Sequence, residues 1–274
     1  MNGLMRADAA LRARGLADSR QRAQALIEQG LATVNGRIIA KSSEKVGPED
    51  ALAVLGTDHP WVGRGGLKLE KALKSFQIDP AGRVCMDIGA STGGFTDVLL
   101  QNGASRVYAI DVGAGQLAPR LASDDRVVVM EHTNARALTA EMFPAKPTLA
   151  VMDVSFISIR LILPAALKVL GGEGRMVSLV KPQFEVGRSG VGKGGIVSDP
   201  RAHIAVLREI TDFVPSLGWY LRAVDFSPIT GGDGNLEFLA DLMPGCGENV
   251  TLEVISRVVA QAHAALSGVT KRSS

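Results

Sequence analysis

Hydrophobic positions at the start of the chain recur first at helical spacing and then at strand spacing. Leu4, Ala7 and Leu11 share one face and are followed by Gly15, which predicts a first helix. Ala23, Leu26 and Ile27 form the inner face of a second, with Asp18 or Ser19 as its cap and Gly30 as its end. Ala32 to Val34 then reads as a short strand, Asn35-Gly36 as a tight hairpin, and Arg37 to Ile39 as the return strand. One more apolar run, Ala51 to Leu55, is expected as the last strand of this small unit. Residues 1–59 are assigned to that unit, 60–63 to a linker and 64–274 to a larger domain.

The passage into the larger domain reads Gly63-Arg64-Gly65-Gly66. Leu67, Leu69, Ala72, Leu73 and Phe76 then describe an amphipathic helix. Lys68 falls in its first turn, where the helix dipole disfavours a cation, so on pattern alone it is expected as an exposed surface lysine. From residue 84 on, short apolar runs alternate with helical stretches, the sign of a parallel α/β sheet. Strands are expected at 84–88, 106–112, 127–131, 149–154, 176–180, 219–226 and 235–242. The last two are joined by a Gly-rich turn with no helix between them, which predicts an antiparallel hairpin at one end. Val250 to Leu266 is apolar enough to pack as a final helix.

Composition narrows the function classes. A length of 274 residues fits about two domains. Hydrophobic residues at 46% and charged residues at 21% exclude a disordered or fibrous chain. Aromatics at 4% argue against a nucleic-acid binder built on rows of stacking rings. No apolar run approaches the ~18 residues of a membrane span, and the first residues lack the apolar core of a signal peptide, so no membrane partner is expected. Cys85 and Cys246 are too few for a disulfide scaffold; both sit beside apolar residues and read as reduced core thiols of a cytoplasmic protein.

The formal charge of +2 is uninformative until it is divided along the chain. Residues 1–45 carry +4 and the remainder −2. A basic module on a nearly neutral body points to a polyanionic partner. Arg20 and Arg22 lie at the start of the second helix, near the hairpin, where a helix N-terminus holds phosphates well. Arg6, Arg37 and Lys41 are further candidate contacts to such a partner in this unit.

Here the residues carry a resemblance. The stretch RADAALRARGLADSRQRAQALIEQGLATVNGRIIAK resembles the RNA-binding domain named after ribosomal protein S-four, with its Arg-x-Asp-x-x-Leu opening and Val-Asn-Gly hairpin. That likeness implies recognition of structured RNA through phosphates and shape.

In the larger domain the first strand runs into Asp87-Ile88-Gly89-Ala90-Ser91-Thr92-Gly93-Gly94-Phe95. Glycines at 89, 93 and 94 permit close approach to a ligand at the strand's carboxyl end. Ser91 stands where a dinucleotide fingerprint needs its second glycine, which argues against that cofactor. Asp111, at the end of the second strand, can bond both ribose hydroxyls of a nucleoside-containing ligand. Asp87 is positioned for a cationic or amine group. Together these resemble the first motif of S-adenosylmethionine methyltransferases. The Gly187 to Gly194 stretch is nearly a P-loop, but Gly194 replaces the magnesium-binding Ser or Thr and no helix follows. Arg188 and Lys193 there, and Arg64 at the helix start, are instead candidate RNA contacts.

Asp153 ends the fourth strand, Lys181 ends the fifth and Glu237 lies in the seventh. Adjacent fourth and fifth strands with the hairpin alongside would bring all three to one cleft. With Lys68 the set resembles the Lys-Asp-Lys-Glu tetrad of FtsJ-like RNA ribose 2′-O-methyltransferases. Across nearly the whole chain, GRGGLKLEKAL, MDIGASTGGF, DVSFISI, LVKPQFE and GGDGNLEF are similar to the TlyA family, whose members carry both hemolysin and ribosomal RNA cytidine-2′-O-methyltransferase descriptions. Gly63 departs from the Ser that many relatives carry there, a difference expected to touch the linker and not the chemistry.

The resemblance implies a Rossmann-like seven-stranded methyltransferase with a small N-terminal α+β RNA-binding domain. It implies S-adenosyl-L-methionine as cofactor and ribosomal RNA or ribosomal subunits as partner; no metal is expected, and the oligomeric state is left open, with a monomer preferred. It assigns Lys68, Asp153, Lys181 and Glu237 to catalysis and Gly89, Gly93, Gly94 and Phe95 to the methionine side. Asp111 is assigned to the ribose and Asn134 to the adenine. Lys181 is the central group, orienting and deprotonating the 2′-hydroxyl. Lys68 would lower its pKa while Asp153 and Glu237 would raise it, so a purely electrostatic role for the amine stays open. A membrane-lytic hemolysin and an RNA-binding regulator with an inactive methyltransferase fold are the competing classes.

Overall fold

The computed structural model describes residues 4–17, 20–28, 30–54, 59–187 and 190–266. The chain divides into two compact units, Met1–Pro60 and Trp61–Ser274.

In the first unit β1 (Met5–Arg6) leads directly into α1 (Ala7–Ala13). After α2 (Arg20–Glu28) come β2 (Ala32–Val34), β3 (Arg37–Ile38), β4 (Lys45–Val46) and β5 (Leu52–Val54). β2 pairs antiparallel with β3 and β5, and β1 pairs with β4. Ala7, Leu11, Ala23, Leu26 and Ile27 share one core with Ala32, Val34, Ile39 and Val46. Asn35 and Gly36 both have positive φ, 51° and 79°, as a two-residue hairpin turn of type I′ demands.

Leu4 departs from expectation: it is exposed and precedes the helix, because Met5 and Arg6 are drawn into the ladder with β4. A strand of two residues is too short to show alternation in sequence. The expected caps Asp18 and Ser19, and Leu55, lie outside the described residues.

Fully buried Asp8 organises this unit. Its carboxylate accepts hydrogen bonds from Arg6 (3.0 and 3.1 Å), Arg20 (3.2 Å), Gln24 (2.9 Å) and the Ala9 N–H (2.9 Å). The Arg6 guanidinium, helped by Gln24 and Arg20, holds Asp8 well below the usual carboxylate range.

The second unit runs α3 (Gly66–Phe76), β6 (Val84–Ile88), α4 (Gly94–Gln101), β7 (Arg106–Ile110), α5 (Pro119–Ala122), β8 (Val127–Met130), β9 (Leu149–Met152), α6 (Leu163–Leu170), β10 (Arg175–Val180), α7 (Pro182–Glu185), α8 (Pro200–Phe213), β11 (Trp219–Phe226), β12 (Phe238–Pro244) and α9 (Leu252–Leu266). The sheet order is β11-β12-β10-β9-β6-β7-β8. β8, β7, β6, β9 and β10 are parallel; β12 runs antiparallel between β10 and β11.

Central strands are buried on both faces, which is why they read as nearly continuous apolar runs. Cys85, Val107, Val151 and Val177 face α3 and α4, packing on Leu69, Leu73, Val98 and Leu99. Met86, Tyr108, Met152 and Met176 join the opposite core with α6, α8 and α9. On α9, Ile255, Val258, Val259 and Ala262 are spent on that core.

Three expectations are corrected here. Trp61, Val62 and Gly63, read as linker, belong to the second unit. The Trp61 indole donates to Glu70 (3.2 Å) and the Val62 N–H to Asp97 (2.8 Å). Cys246 is exposed in the turn after β12, whereas Cys85 is buried and burial pushes its thiol up to about 12.

Glu237 precedes the seventh strand instead of lying in it. Asn235 diverts the chain there: its carbonyl accepts from the Gly231 N–H (2.9 Å), its side-chain oxygen accepts from the Val197 N–H (2.9 Å), and its amide donates to the Gly195 carbonyl (3.0 Å). Residues 188 and 189 of the near-P-loop lie outside the described residues. Lys193–Gly195 forms one 3₁₀ turn, and the next helix, α8, begins only at Pro200 behind its Asp199 cap.

Candidate active site

The carboxyl ends of β6, β9 and β10 frame a cleft of about 260 Å³. Its floor is the β6–α4 turn, from Gly89 to Phe95. Its walls come from the residues after β9 and β10 and from Gly63 and Gly65 before α3.

Gly89 has φ 85°, and a Cβ there would sit 2.5 Å from the Asp153 carbonyl oxygen. The turn can therefore pass over β9 only as glycine. Gly93, at φ 96°, is hemmed in by side-chain ends and not by backbone, with a Leu121 methyl 2.3 Å from where its Cβ would be. Gly89→Ala is expected to destabilise the fold by about 3 kcal/mol, from strain plus overpacking. Urea unfolding measures this, and a variant as stable as wild type would contradict the packing just described.

Asp111 lies one residue beyond β7. One carboxylate oxygen accepts from the Ser91 N–H and the other from the Gly113 N–H, both at 2.8 Å. It thus ties the glycine turn to the loop that follows β7. Asp87 is completely buried; one oxygen accepts from the Thr96 hydroxyl (2.6 Å) and the other has no hydrogen-bond partner. Burial pushes Asp87 up to about 7, with the Thr96 hydrogen bond opposing.

The four ionic residues meet in a chain. Glu237 contacts Lys68 at 2.6 Å, Lys68 contacts Asp153 at 3.6 Å, and Asp153 contacts Lys181 at 2.6 Å. Lys181 also donates to the Ser155 hydroxyl at 2.9 Å. Lys68 is buried, not exposed as its position in the helix suggested. Burial opposes its charge, but Asp153 and Glu237 outweigh burial and hold the ammonium above its ordinary value. Gly231 makes room for Glu237: a Cβ there would lie 2.6 Å from the carboxylate. Of the four, only Asp153 and Lys181 line the cleft; Lys68 and Glu237 stand behind them.

The remaining sequence candidates divide. Gly89, Gly94 and Phe95 line the cleft; Gly93, Asp87 and Asp111 adjoin it through the turn. Asn134 does not line it: it is exposed, and its side-chain oxygen caps the turn Ala135–Ala137 by accepting from the Arg136 N–H at 3.0 Å. Arg6 and Arg20 share Asp8, Arg37 pairs with Glu44, Arg22 is half-buried, and Lys41 and Arg64 are exposed. Arg188 and the Lys193 side chain lie outside the described residues.

Sequence reasoning missed Gly63 and Ser155 as cleft residues. It also missed Phe156, which is 91% exposed at φ 66° and leans on Phe184 with ring centroids 5.2 Å apart. An exposed aromatic in a left-handed conformation beside ionic residues is a candidate functional residue. In sequence the only signal was a phenylalanine three residues past Asp153, matched by another three past Lys181.

Known proteins resemble both units. Residues 61–242 match the FtsJ-like methyltransferase family and residues 5–52 match the S4 domain. The 16S/23S rRNA (cytidine-2′-O)-methyltransferase TlyA of Mycobacterium tuberculosis is 47% identical over 234 residues, 85% of this chain and 87% of that one. Hemolysin A of Brachyspira hyodysenteriae is 42% identical over 237 residues, 86% of this chain and 98% of that one. A solved structure of a candidate hemolysin from Streptococcus thermophilus is 43% identical with a TM-score of 0.80, covering 99% of this chain and 100% of that one.

Proposed function

The chain belongs to the TlyA family of FtsJ-like methyltransferases, and from that premise we propose that it transfers the methyl group of S-adenosylmethionine to a cytidine 2′-hydroxyl of ribosomal RNA. The observation that carries this reading is the Lys181–Asp153 pair at the mouth of a glycine-floored cleft, with Lys68 and Glu237 behind it.

The residues present fit the cofactor. Asp87 offers a buried carboxylate oxygen without a hydrogen-bond partner, suited to a cationic ligand beside the turn. Gly65 lines the cleft with nothing within 4 Å of its Cβ position, which leaves room for a ligand. Gly89 to Gly94 would hold the methionine side and Asp111 the ribose. When bound, S-adenosylmethionine supplies an electrophilic methyl group on sulfur.

The chain's own task is alignment and charge. A ribose hydroxyl is a weak nucleophile, so holding it in line and favouring negative charge on its oxygen carries most of the catalysis. Lys181 reaches the cleft as a donor to Ser155 and an ion-pair partner of Asp153, which supports an orienting, electrostatic role. Asp153 fixes the Lys181 amine, Lys68 fixes Asp153, and Glu237 fixes Lys68.

Phe156 would receive the acceptor base, unstacked from the RNA so that its ribose reaches Lys181. Phe156→Ala is expected to lower methyl transfer roughly 10- to 100-fold, since a stacked base contributes about 1–3 kcal/mol. Cofactor affinity by calorimetry should stay within about twofold. An unchanged transfer rate would remove Phe156 from the acceptor site.

The first unit supports an RNA partner: its first 45 residues carry +4, and Lys41 is exposed. Two relatives carry hemolysin descriptions, but no structural feature of the described residues supports membrane lysis. Among the described residues no helix is long and apolar enough to cross a membrane. Calorimetric titration with S-adenosylmethionine tests the reading against an inactive methyltransferase fold, which would give no binding.

A further inference from the structure

The loop after β9 and the helix after β10 are joined at more points than their ion pair requires. Glu185 ends α7 with its side chain buried. One carboxylate oxygen accepts from the Ser158 hydroxyl at 2.6 Å, and the other from the Ile159 N–H at 2.8 Å. Arg160, from the same loop, approaches the carboxylate at 3.5 Å and donates to the Glu185 carbonyl at 3.4 Å. Between these bonds and the Lys181–Ser155 bond lies Phe156, whose ring touches Phe184 on α7.

A non-glycine residue at φ 66° relaxes unless its surroundings over-determine it. Phe156 receives little packing beyond the Phe184 ring, being 91% exposed. Its conformation must therefore come from the anchors on either side. Ser155 is anchored by Lys181 and Ser158 by Glu185. The second anchor costs something: burial raises Glu185 above its ordinary value, against the bonds from Ser158, Ile159 and Arg160. A short 3₁₀ turn at Ile159–Leu161 does not need a buried carboxylate, because Ser158 already caps it through the Arg160 N–H.

We propose that Glu185 is a positioning residue for the acceptor nucleotide: it clamps the loop after Asp153 to the helix after Lys181 and so presents Phe156 to the acceptor base. The inference rests on the acceptor reading above. Glu185 touches neither reacting group; it acts through Phe156.

Methyl transfer to ribosomal subunits by the full chain is measured for Glu185→Ala, Glu185→Gln, Ser158→Ala and the double variant Glu185→Ala/Phe156→Ala. S-adenosylmethionine affinity is measured for each. Glu185→Ala is expected to lower kcat roughly tenfold, the smaller end of a lost stacking contact, with KM for RNA and cofactor affinity within about twofold. Glu185→Gln, which keeps an acceptor for the Ile159 N–H, should recover most of the loss. The double variant should be no slower than Phe156→Ala alone, because both changes remove one function.

Unchanged kcat, loss multiplying with that of Phe156→Ala, or a parallel fall in cofactor affinity would overturn the proposal. If Glu185→Ala does not fold, Ser158→Ala removes the shorter of the two hydrogen bonds to the carboxylate and carries the same comparison, with a smaller loss expected. Wild-type protein that transfers no methyl to RNA would instead overturn the reading of the site itself.

Discussion

Lys181→Ala should lower methyl transfer by about 10³-fold while leaving the fold and the cofactor site in place. Removing one donor aimed at a developing oxyanion costs about 10²–10³-fold, and Lys181 also orients the attacking oxygen. The fold survives because Asp153 keeps a second cation: Lys68 stands 3.6 Å away. The glycine turn and Asp111 do not touch Lys181 in the hydrogen-bond network, so affinity for S-adenosylmethionine should stay within about threefold. Single-turnover transfer and calorimetry on the same preparation measure both effects. Near-normal turnover by this variant would remove Lys181 from the centre of the chemistry.

Lys68→Met should behave differently, losing stability as well as activity. Glu237 is 2% exposed and Lys68 is its ion-pair partner at 2.6 Å. Taking away one member of a buried pair leaves a charge uncompensated and costs roughly 3 kcal/mol. The double variant Lys68→Met/Glu237→Gln should regain much of that stability, because no lone carboxylate remains, yet stay slow in methyl transfer.

The pH dependence has a definite sign. In the folded state the Lys68 ammonium is held above its ordinary 10.5, so its contribution is fully present below about pH 10.5 and is lost as pH rises through the folded value. The stability gap between wild type and Lys68→Met should hold through about pH 9 and narrow in stronger alkali. Urea midpoints across that range measure it; a gap that widens with alkali would contradict the ion-pair account.

Much of this was legible in the chain because sheet patterning is strong where strands are buried on both faces. Val84–Ile88 and Trp219–Phe226 fall where their apolar runs placed them. The glycine turn was legible because only glycine passes over β9 at Gly89. Asp153 and Lys181 stood out as charges at the ends of apolar strands.

What stayed hidden was set by contacts distant in sequence. Lys68 sits in a helical turn that disfavours cations, and only two carboxylates from β9 and the approach to β12 explain its burial. Glu237 was placed inside a strand because nothing local reveals that Asn235 is tied to residues 195 and 197. The local cap that the Asn134 side-chain oxygen makes is likewise invisible in the pattern of its neighbours. Cys246 resembled a core thiol from its neighbours, though the turn after β12 turns it outward. Phe156 carries no periodicity at all; its conformation depends on anchors at Ser155 and Ser158.

The most direct test of the central claim is the identity of the methylated nucleoside. Ribosomal subunits are incubated with the full chain and methyl-labelled S-adenosylmethionine, and the RNA is digested to nucleosides and separated. Label is expected in 2′-O-methylcytidine with wild type and none above background with Lys181→Ala. Label on a base, or label that persists undiminished in the Lys181 variant, would contradict it.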